Sequence, residues 1–565
     1  MIVLNFKTKK FITSFLLILI VLVSLLFKII FPSIDTDEGF FYDISKNVSE
    51  GRFISNTHGN LIGLNKYVSY YQFVPIANFL FMKLFTTPIL QIKFLPTMIS
   101  FATLILLLFV LKRNFEKFIV ILFLFSDPIF WKYSSCLRPE VLFSLFSLGY
   151  VVILTKIYKS KKISLSFIVL MSVLCALNFL TSFQTVIFMF AVIPLVITNN
   201  HYSKSEKITK IIIFGILFLI LITPQIYFHY KNFDIVLMQV NANKLHPSIY
   251  RIVINPILAL IFSIKEGGLL SVIIYTFPLM LLYGLIKKSF RSVQEIGLVV
   301  ATLIIYILTF IVIGQSNLVG SHRIIYLLPL TLYFLYFFDK ENLLSIPKII
   351  PISILLILFL LIPAMAIQNP SLRSFLKGQE IIVLMSIIII LIAIIGLRSK
   401  VTTLLSKTRL ISEKMIVIER KNAYLLVFLV IVFNITFIIN QIYSGNVISI
   451  FDYQKLENSF DSGDFSNVRM AIEDNILPFF RNKAAYKMGI APFSWKLARG
   501  GRSFEKLVDE SNIDMFLMSS NKIEQTKNDD TVVDFYSFLK DNFFIYKRYN
   551  IKNDDSILLL SKIRL

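Results

Sequence analysis

The sequence predicts a polytopic α-helical membrane protein of about 13 spanning helices, followed by a small water-soluble α/β domain at its C-terminus. Three observations predict it. The 565 residues are 56% hydrophobic and only 16% charged, with a mean hydropathy of +0.75, so lipid must solvate much of the surface. Uninterrupted apolar runs recur at the ~20-residue length a helix needs to cross hydrocarbon, while the short alternating segments of a membrane barrel are absent. The net charge of +23 sits mostly in short Lys- and Arg-bearing connectors between those runs. Positive-inside sorting accounts for such charge, and no nucleic-acid partner is implied.

In chain order, the first expected span is 11–31, preceded by Lys7, Lys9 and Lys10. It resembles a signal sequence, but its length and the lack of a small-residue cleavage motif point to an uncleaved helix with its basic end in the cytoplasm. The remaining expected spans are 91–111, 117–130, 137–155, 163–180, 182–198, 208–228, 267–287, 294–314, 322–338, 348–366, 379–397 and 423–443. With the N-terminus inside, the inner loops carry Lys112, Arg113 and Lys117, then Lys156 to Lys162, then Lys204, Lys207 and Lys210. Lys287, Lys288 and Arg291, then Lys340 and Lys348, and the stretch from Arg398 to Lys421 continue the series, and the alternate loops are less basic. An odd number of spans places the C-terminal domain outside.

Two apolar stretches fall short of a span. Phe73–Phe85 contains Pro75, and counting it as a crossing would turn every later basic loop outward, so it reads as an interfacial or re-entrant helix. Residues 252–264, within the long outer loop 229–266, read the same way. From about Ser444 the composition turns polar and charged, which divides the chain into a membrane domain, 1–443, and a soluble domain, 444–565. In the latter, Ile513–Met518, Phe543–Tyr549 and Ser556–Lys562 read as strands, and Lys506–Ser511 and Val533–Leu539 as helices. Cys136 and Cys175 both fall in the membrane domain, so no disulfide framework holds the tail.

Polar residues that gather on one membrane face are the candidates for chemistry. Beyond the first span, Asp35, Asp37 and Glu38 place three carboxylates in four residues, opening an aromatic amphipathic helix through Phe40, Phe41, Ile44 and Val48. One acid suffices to cap that helix; three crowded together repel and need compensating partners. A second cluster, Ser126-Asp127-Pro128 with Arg138-Pro139-Glu140, lies on the same expected face, with Pro139 suited to a first helical turn and Glu140 to its dipole. A third, Ser321-His322-Arg323 with Tyr326 and Pro329, opens the tenth expected span, and His229, His246, Arg251, Lys265 and Glu266 populate the long outer loop. Taken singly, each His or Arg reads as an ordinary interfacial residue, and each acid as a cap or local ion pair. Their common face suits a site that takes a lipid-phosphate substrate, and it does not suit a midplane transport pathway.

In that order and spacing the chain resembles the GT-C superfamily of membrane glycosyltransferases, nearest to the protein O-mannosyltransferase and lipid A aminoarabinose transferase group. The residues carrying the resemblance are Asp37-Glu38-Gly39-Phe40-Phe41-Tyr42, Val74-Pro75-Ile76-Ala77, Arg138-Pro139-Glu140, Gly267-Gly268-Leu269-Leu270 through Pro278, and His322 through Pro329. Two departures stand out: Glu140 where Asp is commoner, and Gln72 and Val74 where relatives carry charge. The resemblance implies a catalytic first outer loop, 32–90, and sugar transfer with inversion from a polyprenyl phosphate to a glycan, lipid or protein acceptor. It implies Asp37 as base, with Glu38 or Glu140 orienting the acceptor or a divalent cation, and no other cofactor. Arg323, with Arg251, Arg138, His322 and Tyr326, would meet the donor phosphate. It implies a bacterial inner membrane, with the C-terminal domain outside. The alternatives are a lipid-linked saccharide flippase, for which repeated halves and midplane charge are lacking, and a polysaccharide polymerase or ligase, which would leave Asp37-Glu38 unexplained.

Overall fold

The structure, a computed structural model, describes residues 36–48, 54–55, 67–68, 72–111, 127–160, 163–181, 188–233, 271–286, 289–315, 326–341, 465–473, 484–490, 512–520, 533–552 and 555–562, with isolated positions between them. The expected spans 11–31, 348–366, 379–397 and 423–443 and the expected helix Lys506–Ser511 lie outside the described residues, as does the boundary at 443.

The first loop folds as α1 (Thr36–Val48), a short antiparallel pair β1 (Ile54–Ser55) and β2 (Tyr67–Val68), and α2 (Phe73–Met82). At 10 residues α2 is far too short to cross a bilayer, in keeping with its reading as a re-entrant or interfacial piece. Phe41, Tyr42, Val74 and Met82 from these helices pack with Ile92, Leu95, Ile99, Leu137, Val141 and Leu142, which seats the loop on the helices that follow.

Those helices are α3 (Pro88–Val110), α4 (Pro128–Tyr133), α5 (Pro139–Lys159), α6 (Leu165–Thr181), α7 (Phe188–Thr198), α8 (Lys204–Lys231), α9 (Ser271–Ile286), α10 (Val293–Gln315) and α11 (Leu327–Lys340). Among the described residues, Pro88–Val110, Pro139–Lys159, Lys204–Lys231 and Val293–Ile311 are long and apolar enough to span a membrane. Proline at the first position starts α3, α4 and α5, where its missing N–H costs nothing. Ser203 and Glu206 form a reciprocal capping box at the start of α8.

One expectation needs correction. The span expected at 117–130 cannot run to 130, because Asp127 is extended and accepts the N–H groups of Ile129 and Phe130, starting the separate helix α4. In the stretch 252–264, expected as an interfacial or re-entrant helix, Ala259, Leu260 and Ile261 are buried in the main core and the Tyr275 hydroxyl donates to the Pro256 carbonyl at 2.6 Å, which fits the re-entrant alternative.

Contacts at the helix ends sort the bundle into two faces. The starts of α5 and α11 meet at one face, where Glu140 and Tyr326 line a common cavity. Their ends meet at the other, where Lys159 pairs with Glu341. The same far face gathers Tyr202 and Lys210 on Ile163, and Lys207 on the Ile197 carbonyl. Lys156 and Lys159 at the end of α5 and Lys204, Lys207 and Lys210 at the start of α8 therefore share one side, in keeping with the charge pattern.

The C-terminal unit is a five-stranded mixed sheet of order β4-β3-β5-β7-β6, with β3 (Phe465–Glu473), β4 (Ala484–Ile490), β5 (Met515–Ser519), β6 (Phe544–Lys552) and β7 (Asp555–Ser561). β3 runs parallel to β4 and β5; β7 runs antiparallel to β5 and β6. α12 (Val533–Asn542) precedes β6. The expected strands and the helix at 533 are present: β6 and the helix run longer than expected, β5 is one residue shorter, β7 is shifted by one residue, and β3 and β4 are additional. Central β5 is buried on both sides. Phe516 meets Phe543 in the α12–β6 connection, while Met515 and Leu517 join Met470, Ile472, Ile557 and Leu559 on the opposite face. That second face also holds Ile89, from the first turn of α3, which docks the sheet against the membrane unit.

Candidate functional site

Helix α1 begins at Thr36, so Asp37 and Glu38 occupy its first turn, where the helix dipole favours carboxylates. Glu38 lies on the buried face with Phe41, Tyr42 and Ser45, positions related by the helical repeat. A buried carboxylate needs strong partners. Lys93 supplies one: its ammonium lies 2.7 Å from Oε1 and 2.6 Å from Oε2 of Glu38, and neither side chain reaches solvent. Leu137 supplies another, its backbone N–H donating to Oε1 at 2.6 Å. One carboxylate thus joins α1, α3 and the connection between α4 and α5. Further bonds brace the same joint: Tyr42 donates to Gln91 at 2.5 Å, Asn78 of α2 donates to Ser45, and Ser100 donates to the Ser134 carbonyl.

Beyond Leu137, Arg138 is extended and Pro139 opens α5, which aims Glu140 back from the first turn. The Arg138 guanidinium bonds Glu140 at 3.3 Å, so the local ion pair expected from the sequence is present. Glu140 also faces a cavity. Ser100 and Thr103 of α3, Phe130 and Tyr133 of α4, Ser134, Val141 and Ser144, and Tyr326 at the start of α11 complete its wall. Edge-on contact with Phe143, at 4.4 Å between ring centroids, holds Tyr326 there. Hydroxyl side chains, one carboxylate and aromatic rings make up the wall, although the surface they turn to the cavity is almost entirely apolar. The Ser144 hydroxyl is buried and has no hydrogen-bond partner among the described residues. Among those residues no group of His, Cys, Asp or Glu is arranged to hold a metal ion.

Of the residues singled out from the sequence, the structure therefore brings Glu38, Arg138, Glu140 and Tyr326 to one joint and its adjoining cavity. The backbone of Asp37 lies in the same turn as Glu38. His322, Arg323 and Arg251 lie outside the described residues, as does Asp35. Lys93 was missed by sequence reasoning. The signal was present, since Lys93 is the one charged residue in the 23-residue helix α3, and a lone charge inside an apolar run calls for a buried partner.

The fold has solved counterparts. The chain aligns with the crystal structure of ArnT from Cupriavidus metallidurans bound to undecaprenyl phosphate at a TM-score of 0.54 and 13% identity, covering 99% of both chains. The apo form of the same ArnT aligns at 0.49 and 12% identity, covering 97% of this chain and 98% of that one. The first alignment shows an ArnT-like fold over nearly the full length. No protein-family model and no curated protein matches the sequence.

Proposed function

We propose that the chain is a glycosyltransferase that moves a sugar from a polyprenyl phosphate to an acceptor at the non-cytoplasmic face of the membrane. One observation carries the reading: within an ArnT-like fold, the acidic turn of the first loop, the Pro139–Glu140 helix start and Tyr326 converge on one face. The solved ArnT binds undecaprenyl phosphate, which supports a lipid phosphate as the donor's leaving group here. The opposite face carries the basic connectors, which supports its assignment to the cytoplasm.

In the reaction, an acceptor hydroxyl oxygen attacks the anomeric carbon while the bond from that carbon to the phosphate oxygen breaks. The proton passes from the hydroxyl to the Asp37 carboxylate, and polyprenyl phosphate departs with the bonding pair. Phosphate leaves readily, so the assistance needed is basic, and a positioned carboxylate typically contributes about 10²–10⁴-fold. In-line attack inverts the anomeric centre. Glu140, at the cavity wall, orients the acceptor or a divalent cation. Arg323, three residues before Tyr326 in the chain, pairs with the donor phosphate through its planar fork, and His322 and Arg251 lie in flanking sequence that supports the same role. The Arg138 guanidinium is bonded to Glu140, which favours Arg323 over Arg138 for the phosphate.

The test is sugar transfer by the full chain in vesicles from an undecaprenyl-phosphate-linked sugar. Asp37→Asn is expected to insert normally and lose transfer; full activity removes Asp37 as the base. Arg323→Ala is expected to raise the donor KM more than the acceptor KM, and equal effects remove its phosphate role.

A further inference from the structure

We infer that Lys93 is a positioning residue and that Glu38 serves as the joint it holds, rather than as a group that touches acceptor or metal. The inference rests on the transferase reading and assigns roles within it. An ionised carboxylate offers about four lone-pair sites. Three of the bonds made by Glu38 are taken by the protein itself, two from Lys93 Nζ and one from the Leu137 N–H. Glu38 and Lys93 are 0% and 2% exposed, so reactants do not reach this pair in the folded chain.

What the joint controls follows from where its members sit. Glu38 adjoins Asp37 in the first turn of α1, and Leu137 lies three residues before Glu140. The spacing between the proposed base and the cavity-lining acid therefore runs through one carboxylate. Lys93 stands within the first two turns of α3, the helix that also supplies Ser100 and Thr103 to the cavity. Neutralising Glu38 from that helix lets it sit buried beside Asp37 without adding an uncompensated negative charge to the turn. If Lys93 is removed alone, the stranded carboxylate must seek water or another donor, and the turn carrying Asp37 moves with it. A displacement of ~1 Å in a catalytic group costs on the order of 100-fold in rate.

The experiment compares four full-length proteins in lipid nanodiscs: wild type, Lys93→Met, Glu38→Gln and the double variant. Transfer kinetics use an undecaprenyl-phosphate-linked sugar, and amide exchange at Leu137 reads the joint directly. Lys93→Met is expected to lower kcat by about 100-fold with little change in donor KM, and to speed exchange of the Leu137 amide. The double variant is expected to recover to within about 10-fold of wild type and to regain protection, because Gln still accepts the Leu137 N–H and no lone charge is left buried. Two kinetic results overturn the assignment. A double variant as inactive as Asp37→Asn would mean that Glu38 touches reactants, and a raised donor KM in Lys93→Met that the double does not restore would place Lys93 on the donor phosphate. Unchanged Leu137 exchange in Lys93→Met overturns it as well, whatever the activity. If wild type transfers no sugar from this donor, the transferase reading fails, and the exchange series still decides whether the pair holds the joint.

Discussion

Ile89→Ala should loosen the docking of the C-terminal sheet on the membrane unit. Ile89 is 1% exposed and sits in the first turn of α3, yet it belongs to the apolar cluster that holds Phe460, Met470, Ile472, Met515, Leu517, Ile557 and Leu559 of the C-terminal unit. Truncating a fully buried Ile to Ala typically costs about 2–5 kcal/mol, the sum of lost transfer energy and the cavity left behind. The contact lies between two units that each have further apolar cores, so most of that cost falls on docking rather than on the unfolding of either one. At ~1.4 kcal/mol per factor of ten, the docked fraction relative to undocked drops by roughly 30- to 3,000-fold. Hydrogen exchange in nanodiscs reads this at residues 465–473 and 88–92, which should gain exchange together while α5 and α10 keep theirs. Ile105→Ala is the control: that side chain, on the same helix, is 47% exposed on the outside of the bundle and should change little. Unaltered exchange at 465–473 in Ile89→Ala would show that the sheet is held elsewhere and that the apolar cluster around Ile89 contributes nothing to docking.

Two further outcomes follow from the packing and the charge environment. Gly297→Ala should destabilise the bundle by about 1–3 kcal/mol, because a Cβ there comes within 2.9 Å of Thr198 Cβ and closer still to its hydroxyl. Adding Thr198→Gly should recover most of the loss in a thermal melt, and failure to recover would locate the strain elsewhere. In the C-terminal sheet, burial first and the neighbouring Tyr546 second push the Tyr549 hydroxyl above its ordinary value of 10.0. Since the folded state holds this proton more tightly than the unfolded chain, its stabilising effect is complete below about pH 10 and is lost as pH rises through the folded value. Melting temperature followed from pH 8 to 11 should therefore fall more steeply in wild type than in Tyr549→Phe; parallel curves would remove Tyr549 from the alkaline transition.

Much of the site was legible in the sequence because its elements have local signatures. The spacing of Phe41 and Ile44 behind an acidic turn marks α1, and Pro139-Glu140 marks the start of α5 by the same logic. Strands β5 and β7 are short apolar runs that need no partner to be recognised. What escaped depends on partners far away in the chain. Lys93 looks like an interruption in an apolar helix until Glu38, 55 residues earlier, is placed against it. β3 and β4 carry mixed polar sequences, FSNVRMAIE and AAYKMGI, and become strands through parallel pairing across a gap with no hairpin signature. The break at Asp127 was visible as an Asp-Pro pair, yet the apolar run around it made a continuous helix the simpler reading.

The same contact at Ile89 also constrains topology without any count of helices. Ile89 marks the start of α3, and Leu137, just before α5, meets Glu38 at that same end of the bundle. α3 leads away from this face and α5 leaves from it again. α5 and α11 both start at the site face and end at the Lys159–Glu341 pair, so the chain reaches the far face at Glu341. The C-terminal sheet nevertheless packs on Ile89, at the site face. Two contacts far apart in the sequence, Ile89 on the C-terminal core and the Leu137 N–H on Glu38, thus place the sheet at the end of the bundle that carries the acidic joint.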